Sequence, residues 1–237
     1  MHFSAPIHRL KRRARLLSRD TGCPLHQALD RIAAGEGFQS WSHLASSAAS
    51  ESPALSVLSR LSAGDLVLLA ARPGHGKTRF GLELALRAGR LDRKGYFFTL
   101  DYHERDVAER SSALGFDLAT AGRSVRVDTS DEVSAGYVIG HLERERCPAV
   151  VVIDYLQLLD QNRTNPGLGD QIAALRRYVT ASGAICAVIS QIDRFFELSD
   201  KAMPDLSDVR LPNPLDLSAF DKAIFLHDGR IRMERAT

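Results

Sequence analysis

Short apolar runs alternate with amphipathic segments from about residue 64 onward. Residues 168–180, for example, place apolar side chains at helical spacing along one face. Strands that alternate with helices indicate a mainly parallel sheet covered on both faces. We therefore expect an α/β fold with a mainly parallel central sheet flanked by helices. The predicted strands are Leu66–Ala70, Tyr96–Leu100, Val125–Asp128, Val150–Ile153, Ala184–Ile189 and Ala223–Leu226.

A different pattern precedes this region. Residues 7–17 and 24–34 carry apolar residues at helical spacing, and the segment around Trp41 suits a third short helix. We place Trp41 in the core of this helical unit. Small and polar residues then suggest a linker. The predicted boundaries are a small basic helical module over 1–48, a linker over 49–56 and the α/β domain over 57–237.

Charge is divided unevenly between these regions. The whole chain has a formal net charge of +2, but residues 1–50 hold seven Lys and Arg against three Asp and Glu. A basic head of this kind either binds a polyanion or forms an ordinary solvated helix face. Both interpretations fit the composition.

Composition also indicates the cellular compartment in which we expect the chain. No apolar run reaches about 18 residues and no apolar segment follows the basic N-terminus, so neither a membrane span nor a secretory signal is expected. Cys23, Cys147 and Cys186 are widely spaced and form no CxxC or His/Cys cluster, which argues against a structural zinc site. Cys186 lies in an apolar run and is predicted to be a core residue. We expect a reducing, cytoplasmic setting.

The sequence Ala-Arg-Pro-Gly-His-Gly-Lys-Thr at residues 71–78 carries the strongest chemical signal. It follows a predicted strand and opens a helix, which is the context that a phosphate-binding loop needs. Backbone N–H groups and the helix N-terminus there attract phosphate. We expect Lys77 to reach the β- and γ-phosphates of ATP, as a catalytic residue, and the Thr78 hydroxyl to bind Mg²⁺. The residues predicted to bind nucleotide are Arg72, Pro73, Gly74, His75, Gly76, Lys77, Thr78 and Arg79.

A second signal is Asp154, which directly follows the apolar run Val150–Ile153. A carboxylate at the end of a buried strand is costly unless a cation or donor answers it. Ligands of α/β folds bind at the carboxyl ends of parallel strands. Asp154 is therefore predicted to bind the Mg²⁺ of Mg-ATP through its water shell.

These motifs resemble those of DnaB-type replicative helicases. The sequence IDYLQL around Asp154 is similar to the family's Walker B motif. Ala71 replaces the first glycine of the general phosphate-loop motif, a departure that DnaB-type ATPases share. The resemblance runs from about residue 57 to 230, and the family's N-terminal collar and linker helix have no counterpart in it. It implies a RecA-like P-loop ATPase core, with ATP and Mg²⁺ as cofactors, which forms homo-oligomers and acts on single-stranded DNA.

The resemblance also implies catalytic roles. In the family, the strand after the phosphate-loop helix ends in a glutamate that polarises the attacking water, and Asp101 stands there, one methylene shorter. Glu104 is the alternative base, and capping a helix that starts near His103 is the alternative role of Asp101. Gln191 matches the glutamine that senses the γ-phosphate, and Arg194 matches the arginine that follows it.

The segments expected to touch DNA and a neighbouring subunit give weaker evidence for these contacts. Residues 192–212 hold three basic against five acidic residues, which is poor for a phosphate track. Phe195 and Phe196 either stack on bases or pack in the interior. A hairpin is predicted at Asp228–Gly229. Candidates for the family's basic finger are Arg230, Arg232 and Arg235, which are otherwise ordinary surface residues.

The function therefore stays open between two classes. One is a DNA-associated, helicase-like enzyme that hydrolyses ATP, and the other is a non-motor, ATP-dependent switch or assembly factor. Both need the phosphate loop. The segment from His26 to Leu44 also resembles a helical module found beside glyoxalase-related and helicase-like proteins. A glyoxalase-type enzyme would require a set of metal ligands that the sequence lacks.

Overall fold

A computed structural model describes residues 4–5, 7–50, 52–118, 124–145, 147–156, 159, 165–211 and 213–236, without the side chains of residues 8 and 48–50. The chain divides into two compact units, Met1–Ser56 (the head unit) and Val57–Thr237 (the core unit). Within the described ranges, no helix is long and apolar enough to cross a membrane.

The head unit contains the helices α1 (Ile7–Thr21), α2 (Leu25–Gly35) and α3 (Trp41–Ser50). As expected, Trp41 packs against its core, which consists of Leu10, Ala33, Phe38 and Leu44. Helix α1 is amphipathic, because its apolar residues Leu10 and Ala14 are fully buried. Its exposed face carries the basic residues Arg9, Lys11, Arg12, Arg13, Arg15 and Arg19.

The segment predicted as a linker, 49–56, is mainly helical. It contains the end of α3 and most of the short helix α4 (Pro53–Leu58), in which Ala54 and Leu58 are fully buried. Alanine has the highest helix propensity, and proline is tolerated at the first helical position. The small side chains that suggested an extended linker are therefore compatible with helix.

The core unit is built on one sheet with eight strands among the described residues. Its strands are β1 (Leu66–Ala71), β2 (Lys94–Thr99), β3 (Val125–Asp128), β4 (Ala149–Asp154), β5 (Ile185–Ile192), β6 (Val209–Arg210), β7 (Lys222–His227) and β8 (Arg230–Arg235). They lie in the order β3-β2-β4-β5-β1-β7-β8, and β6 pairs with the end of β5. Of these strand pairs, only β5–β6 and β7–β8 are antiparallel.

Helices cover both faces of this sheet. They are α5 (Lys77–Leu86), α6 (Glu104–Ala113), α7 (Ala135–Glu145) and α8 (Leu168–Ser182). Val138 of α7 and Leu175 of α8 join the core on the face that includes Leu68 and Phe98. Helix α5 lies on the opposite face. All six predicted strands are present, and the predicted α/β fold with a mainly parallel central sheet is confirmed.

Two glycines let α5 lie directly on the sheet. A Cβ at Gly81 would come within 2.7 Å of Ile189 Cδ1 and 2.9 Å of Val152 Cγ1. A Cβ at Gly95 of β2 would lie 2.0 Å from the carbonyl oxygen of Ala85. At Gly95 the obstructing atom is backbone, so no side chain fits there, and the end of α5 lies directly against the start of β2.

The predicted hairpin at Asp228–Gly229 is confirmed by the antiparallel pairing of β7 with β8. Asp228 (φ 46°) and Gly229 (φ 74°) both have left-handed backbone, which is the turn geometry that matches the twist of paired strands. Leu226 lies opposite Ala71 on β1. The turn therefore lies beside the loop that follows β1.

Candidate nucleotide-binding site

The phosphate loop connects the end of β1 at Ala71 to the start of α5 at Lys77. Gly74 (φ 83°) and Gly76 (φ 82°) have the left-handed backbone that side chains other than glycine rarely adopt. Gly76 is also the N-cap of α5. This backbone forms an anion site, since the first N–H groups of the helix have no partner within it.

Asp154 lies at the end of β4, in register with Thr99 on β2. Its side chain is 0 % exposed, and neither carboxylate oxygen has a hydrogen-bond partner of good geometry among the described residues. The pKa of Asp154 is raised to about 6, chiefly by burial. The Asp101 carboxylate contributes to this rise, whereas the nearby Thr78 hydroxyl and the Lys77 ammonium oppose it. A buried acid that has no hydrogen-bond partner is costly, so the site favours a cation.

The donor set at this point fits Mg²⁺. Thr78 is buried at the start of α5, and its hydroxyl lies close enough to Asp154 to influence the pKa of that carboxylate. A hydroxyl and a carboxylate are hard oxygen donors of the kind Mg²⁺ prefers. An ion held here would neutralise the buried charge of Asp154.

The two candidate bases lie in different surroundings. Asp101 is exposed just after β2, its N–H donates to Oγ1 of Thr99 at 3.3 Å, and its charge acts on Asp154. Glu104 is the first residue of α6 and lines a cavity of about 480 Å³ that reaches Val125 and Val127 on β3. Of the two candidate bases, Asp101 is therefore the one whose charge acts on the Asp154 carboxylate.

The alternative role of Asp101 as a helix cap is wrong. Helix α6 starts at Glu104 with His103 as its N-cap, and the Asp106 carboxylate accepts a hydrogen bond from the N–H of His103 at 3.2 Å. The cap needs no contribution from Asp101, because an acid inside the first turn satisfies the free N–H group.

Gln191 lies at the carboxyl end of β5, between the phosphate loop and the following segment. It is half-buried, it is in register with Ala71 on β1, and it pairs with Arg210 on β6. The preceding Ser190 is fully buried, and its hydroxyl has no hydrogen-bond partner within the part of the chain described. Sequence reasoning missed Ser190, because it looks like an ordinary residue of an apolar strand.

Arg110 of α6 was also missed. Its charge lowers the pKa of Asp154, and its guanidinium lies 4.1 Å from the centre of the Tyr102 ring. Arg110 belongs to no motif, so only the packing of α6 reveals that it acts on the site.

Several side chains of the phosphate loop face other parts of the core unit. Arg72 donates from Nε and Nη2 to Oε1 of Glu197 at 2.8 and 2.6 Å, and Nη1 donates to the Ile192 carbonyl at 3.3 Å. Nδ1 of His75 accepts the N–H of Asp228 at 3.2 Å. Pro73 and Arg79 are exposed. The N–H of His75 also donates to the Arg72 carbonyl at 3.2 Å. Nucleotide binding by Arg72 and His75 therefore stays a prediction.

The two phenylalanines of the segment after β5 differ in burial. Phe196 is 3 % exposed and packs edge-on against His227, whereas Phe195 is 63 % exposed, with the Arg194 guanidinium 5.3 Å from its ring centre. Leu198 is 83 % exposed. Interior packing is thus right for Phe196 and wrong for Phe195.

The basic groups of this segment and of β8 differ in accessibility. Lys201 is bound to the carboxylates of Asp205 and Asp208, each at 2.9 Å. Arg232 donates to the Pro204 carbonyl at 2.7 Å and lies over the Phe225 ring, so it is held within its own chain. The remaining finger candidates, Arg230 and Arg235, are exposed.

Comparison with known proteins shows that the chain is similar in sequence to replicative DNA helicases. The chain is 26 % identical to the replicative DNA helicase DnaB of Helicobacter pylori strain J99 over 208 residues. It is 25 % identical to DnaB of Mycoplasma genitalium over 199 residues, and 25 % identical to a probable plasmid replicative DNA helicase of Chlamydia trachomatis over 198 residues. These matches cover 73 %, 69 % and 70 % of the chain. They span only 42 %, 42 % and 44 % of the relatives. No family model matches.

Solved structures agree on the fold. A DnaB-like replicative helicase superposes with a TM-score of 0.57 at 21 % identity, covering 70 % of this chain and 48 % of that one. A KaiC-like protein from Pyrococcus horikoshii superposes with a TM-score of 0.52 at 16 % identity, covering 68 % of this chain and 70 % of that one. The resemblance to the RecA-like core of DnaB-type proteins is confirmed, whereas nothing supports the resemblance of the head unit to a glyoxalase-related module.

Proposed function

We propose that the chain is a DnaB-like ATPase that hydrolyses Mg-ATP and couples this reaction to the binding or remodelling of DNA. The observation that carries the proposal is the buried carboxylate of Asp154, which has no hydrogen-bond partner of good geometry among the described residues and lies near Lys77 and Thr78. A cation-dependent phosphate site explains this cost, which packing alone does not.

Each residue of the site then has a distinct task. The N–H groups of the glycine-rich loop and the start of α5 bind the phosphates, and the Lys77 ammonium neutralises the terminal phosphates. Thr78 and Asp154 hold Mg²⁺, which screens charge on the phosphate oxygens. Gln191 lies at the strand end beside the loop, where it senses the γ-phosphate.

Asp101 is our proposed water-polarising residue, and Glu104 is its alternative. The charge of Asp101 acts on Asp154, whereas Glu104 lines the cavity toward β3. Aspartate reaches about one C–C bond less far than glutamate. Because misplacing a reacting group by about 1 Å costs on the order of 100-fold in rate, we expect slow basal hydrolysis.

We infer the DNA partner and the homo-oligomer from the resemblance of the chain to DnaB-type replicative helicases. Single-stranded DNA is the favoured ligand, and the exposed basic face of α1 is its proposed contact. A neighbouring copy would complete the ATP site with a basic residue, for which Arg230 and Arg235 are exposed.

The deciding experiment measures ATP turnover with and without single-stranded DNA, together with the native mass at several protein concentrations. A helicase-like enzyme shows DNA-stimulated turnover and ATP-dependent oligomers. A switch binds ATP and changes its assembly with little turnover under either condition. Lys77→Ala should abolish Mg-ATP binding by calorimetry, while Lys201→Ala, which removes a lysine outside the loop, should not. Unchanged ATP affinity in Lys77→Ala contradicts the proposal.

A further inference from the structure

Two histidines and an aspartate meet beside the phosphate loop, and the proposed ATP chemistry uses none of their side chains. The rings of His75 and His227 are stacked, with centroids 5.0 Å apart and planes inclined by 8°. Oδ1 of Asp228 lies 3.7 Å from Nδ1 of His75, and Oδ2 lies 3.5 Å from Nε2 of His227. One donor atom from each residue lies within 4.8 Å of the other two.

Separate elements hold these three residues in place. His75 lies between the two left-handed glycines of the phosphate loop, and its Nδ1 accepts the N–H of Asp228 at 3.2 Å. The edge of the Phe196 ring packs against His227 with ring centroids 5.0 Å apart. Nδ1 of His227 is buried and has no hydrogen-bond partner among the residues described. The two imidazoles and the carboxylate thus converge without forming a complete hydrogen-bond network.

We propose that His75, His227 and Asp228 form a binding site for a transition-metal ion of the Zn²⁺ class. Two imidazole nitrogens and one carboxylate oxygen are donors that Zn²⁺ and related ions favour, whereas Mg²⁺ prefers oxygen donors. Donor atoms about 2.0–2.2 Å from one tetrahedral ion lie roughly 3.3–3.6 Å apart. The three donor atoms lie within 4.8 Å of one another, so they must approach by about 1 Å to reach this range.

Binding requires the two rings to rotate out of their stacked arrangement, because imidazole lone pairs lie in the ring plane and those of parallel rings do not meet at one ion. The ion would replace the N–H of Asp228 as the partner of Nδ1 of His75. The Asp228 side chain is 73 % exposed and free to rotate, and water would complete the coordination. The bound ion would tie the phosphate loop to the β7–β8 turn. It is distinct from the Mg²⁺ site at Thr78 and Asp154, and the inference does not rest on ATP hydrolysis.

Calorimetry tests the site with Zn²⁺ as the probe, on the full chain without nucleotide and in a buffer that does not bind metals. We expect one ion per chain, with an affinity reduced by at least about tenfold in both His75→Gln and His227→Gln. His26→Gln is the matched control, because His26 is an exposed histidine of the head unit. It should bind Zn²⁺ like the parent, and Mg²⁺ in millimolar excess should not displace the ion.

Co²⁺ gives a second readout, because its visible absorption reports imidazole and carboxylate ligands directly. Both glutamine variants should lose this spectrum while they retain the parent's circular dichroism. Asp154→Asn should keep Zn²⁺ binding but lose Mg-ATP, so this site and the proposed ATP site can fail independently. Equal Zn²⁺ affinity in the parent, His75→Gln and His227→Gln would overturn the inference, as would an equal loss in His26→Gln.

Discussion

Arg72 of the phosphate loop and Glu197 of the segment after β5 form an ion pair in which both Nε and Nη2 donate to Oε1, at 2.8 and 2.6 Å. Glu197 belongs to the short 3₁₀ helix Arg194–Leu198, which also presents the exposed side chains of Phe195 and Leu198. The ion pair therefore links the phosphate loop directly to an exposed surface of the core unit.

We predict that Glu197→Gln weakens the stimulation of ATP turnover by single-stranded DNA several-fold. The neutral side chain removes the charge that links the two segments, while it leaves the phosphate-binding groups in place. Mg-ATP affinity should stay near that of the parent, and the free energy of unfolding should change by less than about 1 kcal/mol, because Glu197 is mostly exposed. Turnover assays across a range of DNA concentrations test the effect.

Glu234→Gln is the control for this prediction, because Glu234 forms an ion pair with Arg232 on β8, away from the loop. Equal stimulation by DNA in the parent and in Glu197→Gln would show that the ion pair carries no signal.

The second prediction concerns the residue that polarises water. Asp101→Glu should raise turnover, since it restores the reach of a glutamate, and Asp101→Asn should lower it by about tenfold or more. Neither change should alter Mg-ATP affinity, because Lys77, Thr78 and Asp154 remain. Steady-state turnover and calorimetry separate the two effects. If Glu104→Gln is inactive while Asp101→Asn matches the parent, Glu104 is the base.

The third prediction follows from the raised pKa of Asp154. Its pKa of about 6 in the folded chain exceeds the ordinary value of 3.8, so the unfolded chain releases this proton at lower pH. The parent should therefore lose stability as the pH rises from about 4 to about 6, by on the order of 2–3 kcal/mol. The variant Asp154→Asn has no ionisable group at this position and should not show this loss.

The stability gained by Asp154→Asn over the parent should accordingly grow between pH 4 and pH 6 and then stay constant. Urea denaturation without Mg²⁺ or nucleotide measures this difference. A gain that is the same at pH 4 and pH 8 would mean that Asp154 is not buried as an isolated acid. Adding Mg-ATP at pH 8 should stabilise the parent more than the variant, since only the parent keeps the carboxylate ligand.

The fourth prediction concerns the basic face of α1. Replacing Lys11, Arg12, Arg13 and Arg15 together with glutamine should weaken single-stranded DNA binding and flatten its dependence on salt, because fewer counterions are released. These four side chains are exposed, so the head unit should stay folded. The matched control replaces Arg194 and Arg210 of the acidic 192–212 segment, with a smaller expected effect. Fluorescence anisotropy at several salt concentrations distinguishes the outcomes.

Most of the sheet was predictable from sequence because its central strands β1, β2, β4 and β5 are almost entirely buried and appear as largely apolar runs. Lys77, Thr78 and Asp154 were also accessible, since glycine spacing and a strand-terminal acid each leave a local signature. The two-residue strand β6 carries too few residues for a periodic pattern.

Contacts between segments that lie far apart in the sequence could not be predicted in this way. Arg72 and Glu197 are separated by 125 positions, and the stacked pair His75 and His227 by an even longer stretch of chain, so no local pattern links them. Such pairs follow from the strand order, which sets β1 between β5 and β7. The mainly helical conformation of residues 49–56 could not be predicted for another reason, since alanine and serine are common both in helices and in connecting segments.

The contact between Gly95 and the Ala85 carbonyl has a consequence for how the core unit can vary in sequence. The spacing between the phosphate-loop helix and the strand that leads to Asp101 is set by main chain against main chain, with no side chain between them. A Cβ added at residue 95 would force α5 and β2 apart, so we expect this position to require glycine.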